Sequence, residues 1–152
     1  MKILLLDPPM QSIMLARADW FPMGLAFLAG SAIKEGHEVL IYNGEHDPQL
    51  SYVNLTTYSS NYHRYLEALK DPAHGAWKKI STVMSDFKPD VVGITSFSVK
   101  WPSAKRIAAI AKDYSRNVPV VMGGQHVTIR TDDALAEPNV DFVIKGEGEE
   151  TF

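Results

Sequence analysis

The 152-residue chain contains no cysteine, which excludes disulfides, zinc–thiolate sites and cysteine-ligated iron–sulfur clusters within it. It also lacks an excess of positive charge: its net charge is −3, so no nucleic-acid partner is expected. No apolar run is long enough to span a membrane, and the run at 2–6 ends at Asp7-Pro8-Pro9 without a signal-peptide cleavage pattern. We therefore expect a single-domain cytoplasmic protein with no membrane partner.

The common phosphate-binding and hydrolytic motifs are absent as well. The loop at 8–23 contains neither G-x-x-x-x-G-K-[ST] nor G-x-G-x-x-G, and the "GEGEE" at 146–150 carries three carboxylates that would repel phosphate. There is no G-x-S-x-G elbow and no H-E-x-x-H. Four of the five histidines are expected to be structural or solvated: His37, His46, His63 and His74. His126 differs because it lies in a predicted ligand-side loop.

Apolar runs of strand length alternate with helical patterns along the chain. Strands are predicted at 2–7, 37–43, 90–96, 118–122 and 141–146. Helices are predicted at 24–36, 103–115 and 131–137, the last with Thr131 as its N-cap. The alternation predicts an α/β fold, a doubly wound five-stranded parallel sheet of the Rossmann-like or flavodoxin-like kind. Ligands of such folds lie at the carboxyl ends of the strands, here the loops 8–23, 43–50, 96–102, 123–130 and 146–150.

A helical insertion interrupts this pattern at about 47–87. It reads as two helices separated near Asp71-Pro72, with an apolar face on the second. A connection this long in a compact domain is usually functional or mobile.

Strand four runs into Gly123-Gly124, with His126 two positions later. A turn needs only one glycine, so two adjacent residues without side chains indicate that something lies close to the backbone there.

Four stretches together resemble one known family: 21–39, 88–98, 119–129 and 140–152. Their order and spacing are similar to the N-terminal cobalamin-binding domain of cobalamin-dependent radical S-adenosylmethionine enzymes. That family includes many C-methyltransferases and the oxidative cyclase of bacteriochlorophyll synthesis. The resemblance implies that the domain spans 1–152 and that its cofactor is cobalamin.

Cobalamin domains in general carry D-x-H-x-x-G, then S-x-L, then a glycine pair. Here Ser96-Phe97-Ser98 stands at the S-x-L place and Gly123-Gly124 at the glycine pair, but Pro8-Pro9-Met10 follows Asp7 with no histidine. The resemblance then implies base-off cobalamin without the usual histidine under cobalt, its nucleotide tail lying against the glycine pair. A Gly124→Leu variant is expected to fold but to lose cobalamin.

The resemblance and the ligand-edge position together predict the cofactor-binding residues. They are Pro9, Met10, Gly24, Thr95, Ser96, Phe97, Ser98, Val99, Lys100, Trp101, Gly123, Gly124, Gln125, His126, Thr128, Gly146, Glu147 and Gly148. Neither a metal ligand nor a catalytic residue is predicted among them. Under cobalt, Val99, Lys100 or Trp101 is expected to act by bulk alone, and His126 is not expected to coordinate.

Glu149 to Phe152 reads as the first turn of a further helix. The family places a radical domain after it, with C-x-x-x-C-x-x-C holding a [4Fe-4S] cluster and with S-adenosylmethionine. The chain is therefore expected to be a fragment that binds cobalamin and does not catalyse by itself, the missing radical domain being its partner. Two alternatives stay open: a degenerate interaction domain of the same family, and a doubly wound enzyme that binds a nucleotide or sugar nucleotide.

Overall fold

The computed structural model describes residues 1–148 and 151–152. Five parallel strands form one sheet in the order β2-β1-β3-β4-β5. The strands are β1 Lys2–Asp7, β2 Glu38–Asn43, β3 Val91–Thr95, β4 Val120–Gly123 and β5 Phe142–Val143. The predicted doubly wound parallel sheet is thereby confirmed. Its switch point lies between β1 and β3, where the chain changes direction across the sheet.

Seven helices connect and cover the strands in the described part of the chain. They are α1 Met23–Lys34, α2 Leu55–Ser60, α3 Tyr62–Lys70, α4 Gly75–Phe87, α5 Trp101–Tyr114, α6 Gln125–Ile129 and α7 Thr131–Leu135. A short 3-10 turn, Ser98–Lys100, precedes α5.

The two sides of the sheet are covered by different helices, as strand periodicity requires. On one side, Ile3 and Leu5 of β1 pack against Leu25 and Ala29 of α1. On the other, the alternate residues of β1 and β3 join the larger core under α4 and α5. The residues of β3 and β4 that alternate with those of the larger core face the α1 side; they include Gly93, Thr95 and Gly123.

The insertion at 47–87 forms three helices rather than two and contributes to the core. The break near Asp71 is present between α3 and α4, while α2 is an additional short helix whose N-cap is Asn54. Tyr65 and Trp77 are fully buried, and the Trp77 indole N–H donates to the Ala68 carbonyl at 2.7 Å. The insertion therefore closes one face of the sheet.

Three local predictions were wrong. The segment 123–130 is not a plain loop, because it contains α6. Thr131 does not cap α7: its hydroxyl donates back to the Val127 carbonyl at 2.9 Å, so it continues the turn before it. β5 is two residues long instead of the predicted six, and the helix start predicted from Glu149 lies partly outside the described residues.

Candidate functional site

Two adjoining cavities lie at the carboxyl edge of the sheet. The first, of about 360 Å³, is called the slot and runs between α1 and the sheet. It is lined by Leu5, Gly24, Leu25, Leu28, Gly93, Ile94, Thr95, Val121, Gly123, Gly124, Gln125, Thr128, Ile129, Ile144, Gly146, Glu147, Gly148 and Phe152. Six of these residues are glycines, so the slot owes its width to missing side chains.

The second, of about 740 Å³, is called the outer cavity and opens above the switch point. It is lined by Asp7, Met10, Gln11, Trp20, Phe21, Pro22, Met23, Gly24, Leu25, Glu45, Tyr58, Thr95, Phe97, Ser98, Val99, Lys100, Gly124 and Gln125. The side chains of Trp20, Phe21, Met23, Phe97 and Val99 form an exposed apolar rim. Five residues line both cavities, so one elongated ligand could occupy the two together.

Gly123 keeps the slot open, although the fold itself does not require a glycine at this position. It pairs with Thr95 of β3 and faces the α1 side. A Cβ placed on Gly123 would meet only the Ile144 oxygen at 3.6 Å and the Ile144 Cβ at 3.9 Å, which is ordinary contact. A larger side chain there would extend into the slot.

Gly124 has a different role. Its φ is +97°, which side chains rarely adopt, and a Cβ there would lie 2.8 Å from both the Ser96 nitrogen and the Thr95 hydroxyl. Gly124 is therefore required by the close approach of β3 and β4. The expectation that Gly124→Leu folds normally was wrong, because the side chain would collide with the protein before it reached any ligand.

The segment after β3 divides its side chains between the cavity and the interior. Ser96 is 1% exposed, and its hydroxyl donates to the Phe97 carbonyl at 3.2 Å, outside the linings of both cavities. Phe97, Ser98 and Val99 line the outer cavity, with Val99 63% exposed. In this segment Phe97 and the 3-10 turn line the outer cavity, whereas the Ser96 hydroxyl is turned away from it.

Lys100 belongs to a buried ionic cluster with Asp7 and Glu45. Its ammonium lies 2.9 and 3.0 Å from the two Asp7 oxygens and 3.0 Å from Glu45 Oε1. The other Glu45 oxygen accepts the backbone N–H groups of Met10 and Ser12 at 3.1 and 3.0 Å. The cluster thus ties together the loops that follow β1, β2 and β3 beneath the outer cavity.

The cluster holds two carboxylates against one ammonium. Burial raises the pKa of Asp7, and the neighbouring Glu45 acts in the same direction, whereas Lys100 opposes them. Trp20 covers the cluster, its ring centre 5.6 Å from the Lys100 ammonium. Lys100 lines the outer cavity, but its ammonium is held by the two carboxylates and the residue is only 4% exposed.

His126 lies behind the loop that follows β3. It is 6% exposed, and its ring stacks on Trp101 with 4.4 Å between ring centres. Its Nδ1 lies 3.0 Å from the Ser98 hydroxyl, and its backbone N–H donates to the Ser96 carbonyl at 2.9 Å. Neither His126 nor Trp101 lines either cavity among the described residues.

Most of the remaining predicted residues line the two cavities. Gly24, Gln125, Thr128, Gly146, Glu147 and Gly148 line the slot, and Met10 lines the outer cavity. Pro9 lines neither cavity: it is buried, and its carbonyl accepts the Ser103 hydroxyl at 2.7 Å. The Thr128 hydroxyl accepts the Gly146 N–H at 3.0 Å, so it fixes the loop after β5 to α6.

Sequence reasoning missed Asp7 and Glu45, the aromatic segment at 20–23, and the slot residues Gly93 and Phe152. Gly93 carried a readable signal, since a glycine inside an apolar strand marks close approach of another group. Nothing in the sequence indicated that Glu45 is buried, because an acidic residue after a strand normally faces water.

A third hollow, of about 660 Å³, lies beside α1 along the face of β4 and β5. It lies away from the switch point, so the slot and outer cavity remain the candidate ligand site. In the described residues no group of three or more acidic or histidine side chains is placed to hold a metal ion. Nor does that part of the chain contain a helix both long and apolar enough to cross a membrane.

Comparisons with known proteins agree with this geometry. The model of the B12 binding domain matches residues 13–152. An uncharacterized methyltransferase of Pyrococcus horikoshii is 36% identical over the whole chain, which covers 28% of that protein. The cytidylyl-2-hydroxyethylphosphonate methyltransferase of Streptomyces wedmorensis is 32% identical over 99% of the chain, which covers 27% of that protein.

A third relative is the anaerobic magnesium-protoporphyrin IX monomethyl ester cyclase of Cereibacter sphaeroides, 25% identical over 88% of the chain and 18% of the relative. The chain thus spans less than a third of the length of these relatives. The parallel sheet, the glycine-lined slot at its switch point and the matched residues lead to one conclusion: the chain belongs to the B12-binding domain family.

Proposed function

We propose that this chain binds cobalamin, with the nucleotide tail in the slot and the corrin ring in the outer cavity. The observation that carries the proposal is the junction of the two cavities at Thr95 and Gly124, at the switch point of the sheet. A flat macrocycle with a long tail needs a broad apolar surface beside a narrow channel, and this edge has both.

The residues that line the two cavities fit cobalamin. A side chain larger than methyl on Gly123 would fill part of the slot, while the strand itself makes no use of that space. Thr95, Gln125 and Thr128 supply hydrogen-bonding groups along the slot, and Ser98 supplies one in the outer cavity. The apolar rim of Trp20, Phe21 and Phe97 offers flat contact surface and excludes water.

The lower side of the corrin would receive no histidine from this chain. Pro9 occupies the place where a histidine stands in D-x-H-x-x-G, and His126 is buried behind Ser98. Lys100 is held by Asp7 and Glu45, which leaves Val99 as the exposed apolar side chain of the turn. We therefore propose base-off cobalamin, its lower face covered by the bulk of Val99.

The chemistry that cobalamin supplies when bound is the carriage and transfer of a methyl group at cobalt. The protein's own residues bind and orient the cofactor. The ionic cluster of Asp7, Glu45 and Lys100 holds three ligand-side loops at fixed spacing, and the apolar rim keeps water from the ring.

The parent protein is proposed to be a cytoplasmic radical S-adenosylmethionine enzyme. Its further domain, outside this chain, would hold a [4Fe-4S] cluster and S-adenosylmethionine and would be the partner of the cobalamin domain. The two relatives that are more than 30% identical over nearly the whole chain are named methyltransferases, which favours methyl transfer over ring formation.

Size-exclusion chromatography with hydroxocobalamin tests the proposal. The corrin absorption is expected to elute with the protein, and a pyrimidine nucleotide in a parallel run is expected to elute alone. Elution of the corrin apart from the protein contradicts the proposal. If the nucleotide then travels with the protein, a nucleotide-binding enzyme replaces it; if neither does, a degenerate interaction domain replaces it.

A further inference from the structure

The hydrogen bond between Ser98 and His126 joins the outer cavity to the interior. Ser98 is exposed and lines that cavity, while His126 is buried and does not line it. The Ser98 hydroxyl and His126 Nδ1 are 3.0 Å apart, so one of them donates the proton. Which one donates determines what Ser98 offers to a ligand.

The surroundings of His126 favour one neutral tautomer. Burial lowers the pKa of His126, the nearby Asp133 opposes this, and Arg130 acts with burial, so the ring is neutral near pH 8. Among the described residues Nε2 has no hydrogen-bond partner, and the Asp133 carboxylate lies 4.0 Å from it. A carboxylate attracts an N–H and repels a ring lone pair, so the proton belongs on Nε2.

Arg130 holds the Asp133 carboxylate in position near Nε2. Arg130 donates to its two carboxylate oxygens at 3.1 and 3.3 Å, which orients the carboxylate without removing its acceptor character. Trp101 stacks on the face of the ring, which restrains its plane. Nδ1 is therefore an acceptor, and the Ser98 hydroxyl must donate its proton to it.

We propose that His126 is a positioning residue that makes Ser98 a hydrogen-bond acceptor toward the outer cavity, so that the site selects corrin amides over carboxylates. The selection rests on the proposed function. A peripheral amide has N–H groups that Ser98 can accept, whereas the corresponding carboxylate has only acceptors. The domain would thereby distinguish fully amidated cobalamin from acids that lack one amide.

The tautomer is tested directly by nitrogen-15 NMR of the histidine rings in the ligand-free protein at pH 8. His126, assigned by comparison with His126→Asn, is expected to show a protonated Nε2 and an unprotonated Nδ1. The opposite pattern would overturn the proposal, because Ser98 would then be an acceptor toward His126 and a donor toward the cavity.

The selection is tested by equilibrium titration with cobalamin and with monocarboxylic acids that each lack one peripheral amide. For at least one acid, the preference for cobalamin is expected to fall about threefold to tenfold in Ser98→Ala, since one neutral hydrogen bond contributes about 0.5–1.5 kcal/mol. His126→Leu should lose the same preference and His126→Asn, which keeps an acceptor near Nδ1, should retain more of it. Adding Ser98→Ala to His126→Leu should cause no further loss.

A failure of the proposed selection and a failure of the proposed function give different results in these titrations. Unchanged preferences in Ser98→Ala for every acid, with cobalamin still bound, overturn the selection alone. A wild-type protein that binds neither cobalamin nor its acids contradicts the proposed function and the selection with it. Thermal melting of each variant confirms that the comparison is made between folded proteins.

Discussion

At the residue scale, the adjacent glycines Gly123 and Gly124 have different roles. Gly124 is needed for the chain's own packing, whereas Gly123 leaves space that only a ligand would use. The sequence predicted that a ligand approaches the glycine pair, but it could not separate the two, because φ at Gly124 and the approach of Ser96 depend on strand pairing.

Gly123→Val is expected to fold and to bind cobalamin more weakly. Its Cβ makes ordinary contacts, and valine is favourable in a strand, so the free energy of unfolding should change by no more than about 1 kcal/mol. The branched side chain should weaken binding about fivefold to 150-fold, since overpacking costs about 1–3 kcal/mol.

Urea unfolding and equilibrium titration measure the two effects. Gly30→Val is the matched control, because a Cβ on Gly30 meets nothing within 4 Å and Gly30 lines neither cavity. Parental affinity in Gly123→Val would place the tail elsewhere.

Ser96→Ala and Ser98→Ala are expected to differ. The sequence predicted both hydroxyls as cofactor groups, yet only Ser98 lines a cavity, since Ser96 is buried against the Phe97 carbonyl. Ser98→Ala should weaken cobalamin binding several-fold, by about 0.5–1.5 kcal/mol, and Ser96→Ala should leave binding nearly unchanged. The reverse order in a titration would show that Ser96 turns toward the ligand.

At the element scale, three ligand-side loops depend on one another through the buried cluster of Asp7, Glu45 and Lys100. The sequence located all three loops from the strand pattern. It could not show that they are tied together, because residues 7, 45 and 100 meet only when β2, β1 and β3 lie side by side. α6 was missed for a related reason: five residues are too few for a periodic signal, and Gly124 before them resembles a loop.

Lys100→Met should destabilise the protein by about 3–5 kcal/mol near pH 8, because two buried carboxylates lose their partner. The pKa of Asp7 is already raised by burial, and losing Lys100 raises it further. A carboxyl whose folded pKa is raised contributes most stability below its unfolded pKa and loses that contribution as the pH rises through the folded value. The destabilisation should therefore be smaller at pH 5 than at pH 8.

Urea unfolding at the two pH values measures this difference. Lys79→Met, which removes an exposed lysine from α4, is the control and should change little at either pH. An equal loss for Lys100→Met at pH 5 and pH 8 would contradict the account of the cluster.

At the scale of the whole molecule, the fold was predictable and the ligand's exact surroundings were not. Buried apolar strands alternating with amphipathic helices leave few topologies, so the parallel sheet and its ligand edge followed from the pattern. The additional helix α2 and the short length of β5 could not be predicted, because both depend on tertiary packing and not on the local sequence pattern.

Electron paramagnetic resonance of the Co(II) form of the complex tests the proposed lower face. The spectrum should show no nitrogen splitting from an axial ligand, because His126 is buried behind Ser98 and Lys100 is held by two carboxylates. A splitting that disappears in His126→Asn would identify His126 as a ligand and contradict the base-off proposal without histidine.

The central claim is that the slot beside Gly123 receives the nucleotide tail of cobalamin. Parallel titrations of the wild type and of Gly123→Val with cobalamin and with cobinamide, which lacks the tail, test it most directly. We expect the wild type to bind cobalamin more tightly than cobinamide, and Gly123→Val to lose this advantage while its affinity for cobinamide stays the same. Equal affinities of the wild type for the two corrinoids, or an equal loss of both in Gly123→Val, would contradict it.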